Sequence, residues 1–189
     1  MSSWYSISPT WEGDATQIRH GLPFSLLSPY WQMFLLGDGA PTRHLQLLTQ
    51  SEIVVDVVSM TEIGDRNDSA PDAIAAIPTP RTRRQIWLRS ATNGEVYSHA
   101  TSWWETATVA KNLSDPKLPI WVSLNQKQME LYRDLKGIRR GFCPELEGNF
   151  GKHQFWGRDY LLWHSGKPLT LIYEVYSPVL TKYLGKENL

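Results

Sequence analysis

The stretch from His153 to Tyr176, HQFWGRDYLLWHSGKPLTLIYEVY, constrains the fold most. Two apolar, aromatic-rich runs flank Ser165, Gly166, Lys167 and Pro168. Glycine and proline together mark a tight reversal, and β-branched and aromatic side chains suit a pleated surface. The pattern predicts an antiparallel hairpin. On its second arm Ile172, Glu174 and Tyr176 alternate onto one face, and Leu171, Tyr173 and Val175 onto the other. Both faces are largely apolar, so this arm reads as a covered, central strand. Glu174 is then a carboxylate among large apolar side chains. Burying a lone charge is costly, so it is paired, protonated, or facing a cavity that a ligand fills. The alternative is a strand glutamate that reaches solvent at a sheet edge.

With 189 residues the chain is long enough for one domain with a real core, and nothing in it requires a second. Nine Trp and eight Tyr run through its whole length, which argues against disorder. The formal net charge is zero, so no nucleic-acid or membrane-surface partner is suggested. The one cysteine, Cys143, allows no internal disulfide, as in a reducing compartment. The N-terminus lacks the basic start and apolar run of a signal peptide, and no window has the length of a membrane span. A soluble, cytoplasmic protein is expected.

Residues 1–23 read as a strap over the core. The run SLLSPYWQMFLL turns helical at Pro29, a residue suited to a first helical turn, and ends before residues 37–41. Thr42 is placed to cap a second short helix with Leu45 and Leu48 inward. Ser51 to Thr61 is Val/Ile-rich and strand-like. Residues 63–84 are a polar, proline-rich connection with a helical turn near Asp72 to Ala76, either a surface excursion or a lid. Two further β-type runs, 85–90 and 95–104, flank Asn93-Gly94, a strong hairpin signal. On the first of them Trp87 and Arg89 share a face. Arg89 is either an edge residue or a fixed cation on a cavity wall, where its planar fork suits a carboxylate. Short helices follow near 107–113 and after Pro119. Residues 132–138 fit a strand or the end of a bent helix. Residues 139–152 read as loop, and the tail after Pro178 as frayed. The sum is α+β, with roughly six antiparallel strands and short helices packed on them.

The sequence holds no phosphate loop, no dinucleotide fingerprint and no nucleophile elbow. Its five histidines lack paired ligand spacing, so no metal site is expected. The run Arg81 to Arg84 sits in polar surroundings and reads as solvated. Nothing beside Cys143 would lower its pKa. What remains is cofactor-free chemistry built on a cation, a carboxylate and a closed apolar cavity.

Three segments line up in order: I-W-L-R at Ile86 to Arg89 with Gly94 beyond it, W-G-R at Trp156 to Arg158, and S-G-K-P-L at Ser165 to Leu169 followed by Glu174. Together they resemble the chorismate lyase (chorismate–pyruvate lyase) family of quinone biosynthesis. Asp38 to Arg43 and Tyr132 to Asp134 extend the likeness, which covers about residues 25–178. In character the chain looks most like the branch of photosynthetic bacteria and plastids, whose product enters plastoquinone. The resemblance implies a six-stranded antiparallel sheet with a sealed cavity. It implies conversion of chorismate to 4-hydroxybenzoate and pyruvate with no cofactor. The family's carboxylate-holding arginine falls on Arg89, its backbone donors on Ile120 and Ala40, and its glutamate on Glu174. Pro41 has no N–H, which leaves Ala40 as the early donor. One residue more than the family pattern separates S-G-K-P-L from Glu174, so a bulge is needed to keep Glu174 on the cavity face.

By that resemblance Arg89 anchors the ring carboxylate, and Glu174 fixes the 4-hydroxyl or accepts a proton. A second cation for the enolpyruvyl carboxylate would come from Arg158, Lys167 or Arg43, with Lys167 better read as a solvated turn residue. The rival readings are a non-catalytic aromatic-acid sensor of the same fold, and an interaction protein that docks through its Trp-rich N-terminus.

Overall fold

The computed structural model describes residues 4–13, 15–22, 27–113, 115 and 117–186. In chain order its elements are β1 (Ser8–Gly13), α1 (Ala15–Arg19), α2 (Pro29–Leu36), α3 (Pro41–Thr49), β2 (Ile53–Gly64), β3 (Arg81–Ser90), β4 (Val96–Glu105), α4 (Thr106–Asn112), α5 (Ile120–Asn125), β5 (Tyr132–Phe142), α6 (Glu147–Phe150), β6 (Phe155–His164), β7 (Lys167–Tyr176) and α7 (Thr181–Leu184). The strands form one antiparallel sheet of seven in the order β1-β5-β6-β7-β4-β3-β2. The α+β architecture is the expected one, with one strand more.

The extra strand comes from the N-terminal strap. Trp4 and Ile7 are buried as a strap requires, but Ser8–Gly13 pairs with β5 and closes one edge of the sheet. That pairing and β6 on the other side make residues 132–142 a strand, so Arg139–Phe142 belong to β5 rather than to a loop. The expected frayed tail is also tied down as far as it is described. Leu180 and Leu184 are buried, and Trp31 Nε1 donates to the Gly185 carbonyl at 3.1 Å. Pro29 begins α2, with the Ser28 hydroxyl accepting from the Trp31 N–H. In α3 the cap is Ala40 and Pro41 is the first helical residue, so Thr42 lies inside the helix.

The central hairpin forms as the sequence implies. Ser165 and Gly166 take φ of 49° and 73°, the left-handed pair of a two-residue turn. Lys167 and Pro168 already belong to β7. Between Leu162↔Thr170 and Trp163↔Pro168 the register shifts, leaving Leu169 as the extra residue on β7. This bulge absorbs the additional residue and restores the alternation beyond it.

The sheet has two unlike faces. One is filled by a cluster that includes Trp4, Ile7, Ile63, Ile74, Ile77, Trp103, Leu146, Phe150 and Tyr173. The 65–80 connection lies on this face, held by β3. Arg81 Nε donates to the Ile77 carbonyl at 2.8 Å, and Arg83 pairs with Asp68 at 2.6 Å. Arg81, Thr82, Arg83 and Arg84 are therefore buried strand residues, not a solvated run. The connection folds back and supplies acceptors that offset the desolvation of Arg81 and Arg83. The opposite face carries α2, α3 and α7 over a second cluster with Trp31, Phe34, Leu45, Ile86, Leu88 and Tyr176. That face is left partly hollow.

Cys143 is buried on the filled face, where desolvation pushes its thiol up to about 12, the reverse of nucleophile activation. His99 is buried there too. Its ring lies 4.8 Å from Tyr5 and 4.7 Å from Trp87, and neither nitrogen has a hydrogen-bond partner among the described residues. Burial alone lowers its pKa from 6.5 to about 3, so the folded protein holds it neutral while the unfolded chain protonates it. The stability it contributes is full above pH 6.5 and is lost as pH falls from there toward 3. Denaturant titrations of the wild type should show stability falling by up to about 1.4 kcal/mol per pH unit in that window relative to His99→Leu. Parallel pH profiles for the two proteins would refute this account of His99.

Candidate functional site

The hollow is a cavity of about 290 Å³ between the sheet and the segments that begin α3 and α5. That size suits a small organic molecule rather than a polymer. Strand alternation decides what faces it. β3 contributes Arg84, Ile86 and Leu88, β4 Ala100 and Ser102, β7 Ile172 and Glu174, β6 Tyr160 and Leu162, and β5 Arg133. Gly39, Ala40 and Pro41 at the start of α3, and Pro119, Ile120, Trp121 and Leu124 in and before α5, close the other side. Most of this lining is apolar, with a few polar groups at fixed points, as in small-molecule sites generally.

Glu174 is the polar centre. It is 4% exposed and lies on β7, the middle strand of the sheet. Arg158 Nε donates to Oε2 at 3.0 Å, the Tyr160 hydroxyl donates to Oε1 at 2.9 Å, and the Tyr176 hydroxyl donates to Oε2. A carboxylate offers about four lone-pair sites. With three donors in place, one acceptor site is left for a ligand hydroxyl. Burial raises the pKa of both tyrosines, keeping them as O–H donors. Burial alone would lower the Arg158 guanidinium, but Tyr176, Glu174 and Tyr160 outweigh it and raise it. Its Nη1 also donates to the Leu35 carbonyl at 2.6 Å and the Phe34 carbonyl at 3.2 Å. Arg158 thus neutralises the C-terminal carbonyls of α2 as well as Glu174.

Two cations flank this centre. Arg84 is 1% exposed, and its Nη2 donates to the Leu118 carbonyl at 3.2 Å beside α5. Burial pulls its pKa down to about 10, so it stays charged at neutral pH. Arg133 stands on the other side. Its guanidinium lies 4.0 Å over the Tyr160 ring, and Nε donates to the Asp38 carbonyl at 3.2 Å. Its Nη1 is buried with no partner among the described residues. β3 and β5 each lie two strands from β7, so each arginine starts roughly 10 Å from the Glu174 strand at normal strand spacing.

The expected site residues divide. Glu174, Ala40 and Ile120 line the cavity, as the resemblance implied. Arg158 lies behind Glu174 and holds it instead of lining the hollow. Arg89 is not brought into the cavity. It shares the face of Trp87, its side chain is 35% exposed, and it pairs with Asp56 on β2. Arg84, five residues earlier, has the opposite parity and takes the cavity position. Lys167 is exposed at the start of β7, just after the turn, and Arg43 lies outside with its guanidinium 5.8 Å from the Trp121 ring. Arg84 and Arg133 are therefore the cavity cations that the sequence reading did not assign. The signal for Arg84 was its even spacing from Ile86 and Leu88; the signal for Arg133 was the Tyr132-Arg133-Asp134 segment.

No helix among the described residues is long and apolar enough to cross a membrane. Among them, no cluster of His, Cys, Asp and Glu is placed to hold a metal ion.

Three kinds of likeness bear on identity. A family model described as Rv2949c-like chorismate pyruvate-lyase matches residues 35–184. An uncharacterized protein named ycf21 from Cyanophora paradoxa is 34% identical over 171 residues, covering 90% of this chain and 88% of the relative. The ycf21 protein of Pyropia yezoensis is 32% identical over 154 residues, covering 81% and 83%. Among solved structures, the effector domain of PhnF from Mycobacterium smegmatis superposes with a TM-score of 0.57 at 9% identity, covering 77% of this chain and 92% of that one. At that identity the likeness is one of fold alone. The family match spans every element that builds the cavity, from the end of α2 to α7, and the chain belongs to the Rv2949c-like chorismate pyruvate-lyase family.

Proposed function

We propose that this protein is a chorismate lyase, releasing 4-hydroxybenzoate and pyruvate from chorismate without a cofactor. The observation that carries the reading is the Arg84–Glu174–Arg133 set in one largely apolar cavity. Chorismate has two carboxylates and a ring hydroxyl, and the cavity offers two cations and one hydroxyl acceptor. Arg84, with the backbone N–H groups of Ala40 and Ile120, receives the ring carboxylate. Arg133 receives the enolpyruvyl carboxylate, for which its buried Nη1 supplies a free donor. Glu174 accepts from the 4-hydroxyl.

In the reaction the bond between the ring carbon and the enolpyruvyl oxygen breaks with its electron pair on oxygen, the proton on the hydroxyl-bearing ring carbon leaves its pair to the ring, and the departing enolpyruvate takes up a proton to become pyruvate. The ring becomes aromatic, so the step is downhill and needs no electron sink. The protein's part is to orient the ring, exclude water and stabilise charge on the departing enolpyruvyl group. Arg133 lies at the end where that charge develops. An ordinary carboxylate of this kind contributes 10²- to 10⁴-fold as a base, on the order seen for positioned side chains generally. Glu174 contributes less if it only orients the hydroxyl.

Purified protein with chelator present should release pyruvate and 4-hydroxybenzoate from chorismate, followed by coupled assay and chromatography. Tight binding of chorismate with only its uncatalysed decay would favour the sensor reading. Arg84→Lys keeps the charge and loses the fork, so 4-hydroxybenzoate binding should weaken by roughly 1.5–3 kcal/mol by calorimetry. Arg89→Lys should leave that affinity unchanged, and a matching loss there would return Arg89 to the site.

Glu174→Gln separates structure from chemistry. It leaves Arg158 buried beside a neutral amide, and breaking such a pair costs about 3–5 kcal/mol. Thermal or denaturant unfolding should register that loss in addition to any fall in kcat. A Gln variant with wild-type stability and wild-type turnover would remove Glu174 from both roles.

A further inference from the structure

Residues 37–40, between α2 and α3, tie the parts of the cavity together. The Asp38 carbonyl accepts from Arg133 Nε at 3.2 Å, and the Gly37 carbonyl accepts from Arg158 Nη1 at 3.4 Å. Gly39 and Ala40 line the cavity wall itself. One short segment thus sets where one cavity cation stands, touches the cation behind Glu174, and presents a backbone donor to the ligand. Its outer side faces a broad surface groove lined mainly by apolar side chains, and His44 stands in that groove rather than in the cavity.

The His44 ring lies hard against Gly39. A β-carbon built on Gly39 would stand 2.1 Å from His44 Nε2 and 2.5 Å from Cε1, closer than real β-carbons come. The imidazole occupies the space a side chain at 39 would need, and Phe34 backs it with a ring-centroid distance of 6.1 Å. No step of the chemistry above uses His44. We propose that His44 is a positioning residue for ligand binding: its planar, uncharged ring wedges Gly39 and so fixes the Ala40 N–H and the Asp38 carbonyl that aims Arg133. This rests on the reading of the cavity as an organic-anion site.

The electrostatics agree with the geometry. Burial lowers the pKa of His44, Arg158 on β6 and Arg133 on β5 lower it further, and Glu174 on β7 opposes them. From α2 the ring meets Phe34, and the groove adds the Asp38 carboxylate and the hydroxyl-bearing Tyr30 and Tyr183. A proton on His44 would place a third cation near two guanidinium groups, against the segment that both of them bind.

The test uses the full chain with His44→Ala, His44→Phe and Gly39→Ala, titrated with 4-hydroxybenzoate by calorimetry near pH 7.5. His44→Ala should weaken binding about tenfold or more, since small misplacements of binding groups are felt at that scale or above. Gly39→Ala should do the same by pushing the ring away. His44→Phe keeps a ring in place and should stay within about threefold of the wild type. Unfolding curves recorded alongside show that each variant is folded. In the ligand-free protein, the Ala40 amide and Arg133 Nε–H resonances should follow one titration with a midpoint below 6.5, absent in His44→Phe. Wild-type affinity in His44→Ala, equal losses in His44→Ala and His44→Phe, or resonances unmoved by pH would each overturn the proposal. If the wild type itself fails to bind 4-hydroxybenzoate, the functional reading falls, and the ligand-free titration still decides the role of His44.

Discussion

The buried pair of Arg158 and Glu174 is the constraint on which the rest of the molecule turns. The two residues face each other across β6 and β7 in the middle of the sheet. Two charges there cost several kcal/mol of desolvation each, and a pair alone seldom repays that cost. Here much of the remaining hydrogen-bonding capacity is used. Two tyrosine hydroxyls also donate to Glu174, and the last carbonyls of α2 accept from Nη1 of Arg158. A helix terminus, two strands and the cavity floor are thereby specified by one network. An apolar replacement of similar volume could be as stable, but it would leave the end of α2 unsatisfied and the cavity without an acceptor.

The two faces of the sheet divide stability from function. The filled face interlocks Trp4, Trp103 and Tyr173 in edge-on contacts with centroids 4.9 Å apart. It is pinned by Arg81, Arg83 and the 65–80 connection, which therefore lies away from the cavity and does not cover it. The hollow face forgoes part of that packing, and unfilled space costs stability roughly in proportion to its volume. Its walls instead come from two helix starts, at Ala40 and Pro119, where backbone N–H groups lack intrahelical partners. In the proposed reaction an anionic ligand supplies those acceptors, so the same feature that weakens the free protein would favour binding.

Much of this was legible in the sequence, and the misses share a cause. The two hairpins were readable because Asn93-Gly94 and Ser165-Gly166 specify their turns locally. Glu174 was readable because a lone carboxylate in an apolar strand demands an explanation, and the bulge at Leu169 supplied the register it needed. Arg81 and Arg83 were misread because their acceptors, the Ile77 carbonyl and Asp68, lie in a segment whose path is set by tertiary packing, and Arg84 because its acceptor is the Leu118 carbonyl. β1 was misread because SPTWEG has little strand character of its own and forms only where β5 offers an open edge. The polar tail gave no sign that Trp31 and Ser28 would hold its backbone. Apart from Arg81 and Ile77, the missing information was a partner distant in the chain.

Arg84 and Arg89 show how strictly a strand enforces this. They are separated by an odd number of residues, so an unbroken strand cannot turn both to the same face. The shift in pairing beside Arg89 falls on β4, where Tyr97 is the unmatched residue, and it leaves the alternation along β3 intact. The I-W-L-R segment therefore marks the right strand and the wrong side of it. Arg89 completes an ion pair with Asp56 near the sheet edge, where solvent screens both partners and little depends on them. Arg84 is held in a dry wall, where a fixed fork is selective for a planar anion. The strand order then puts Arg84 and Arg133 on opposite sides of Glu174, two strands away in each direction. A ligand that satisfies both cations and the single free acceptor must carry two separated anionic groups with a hydroxyl between them. A mono-acid engages the cation at one end only.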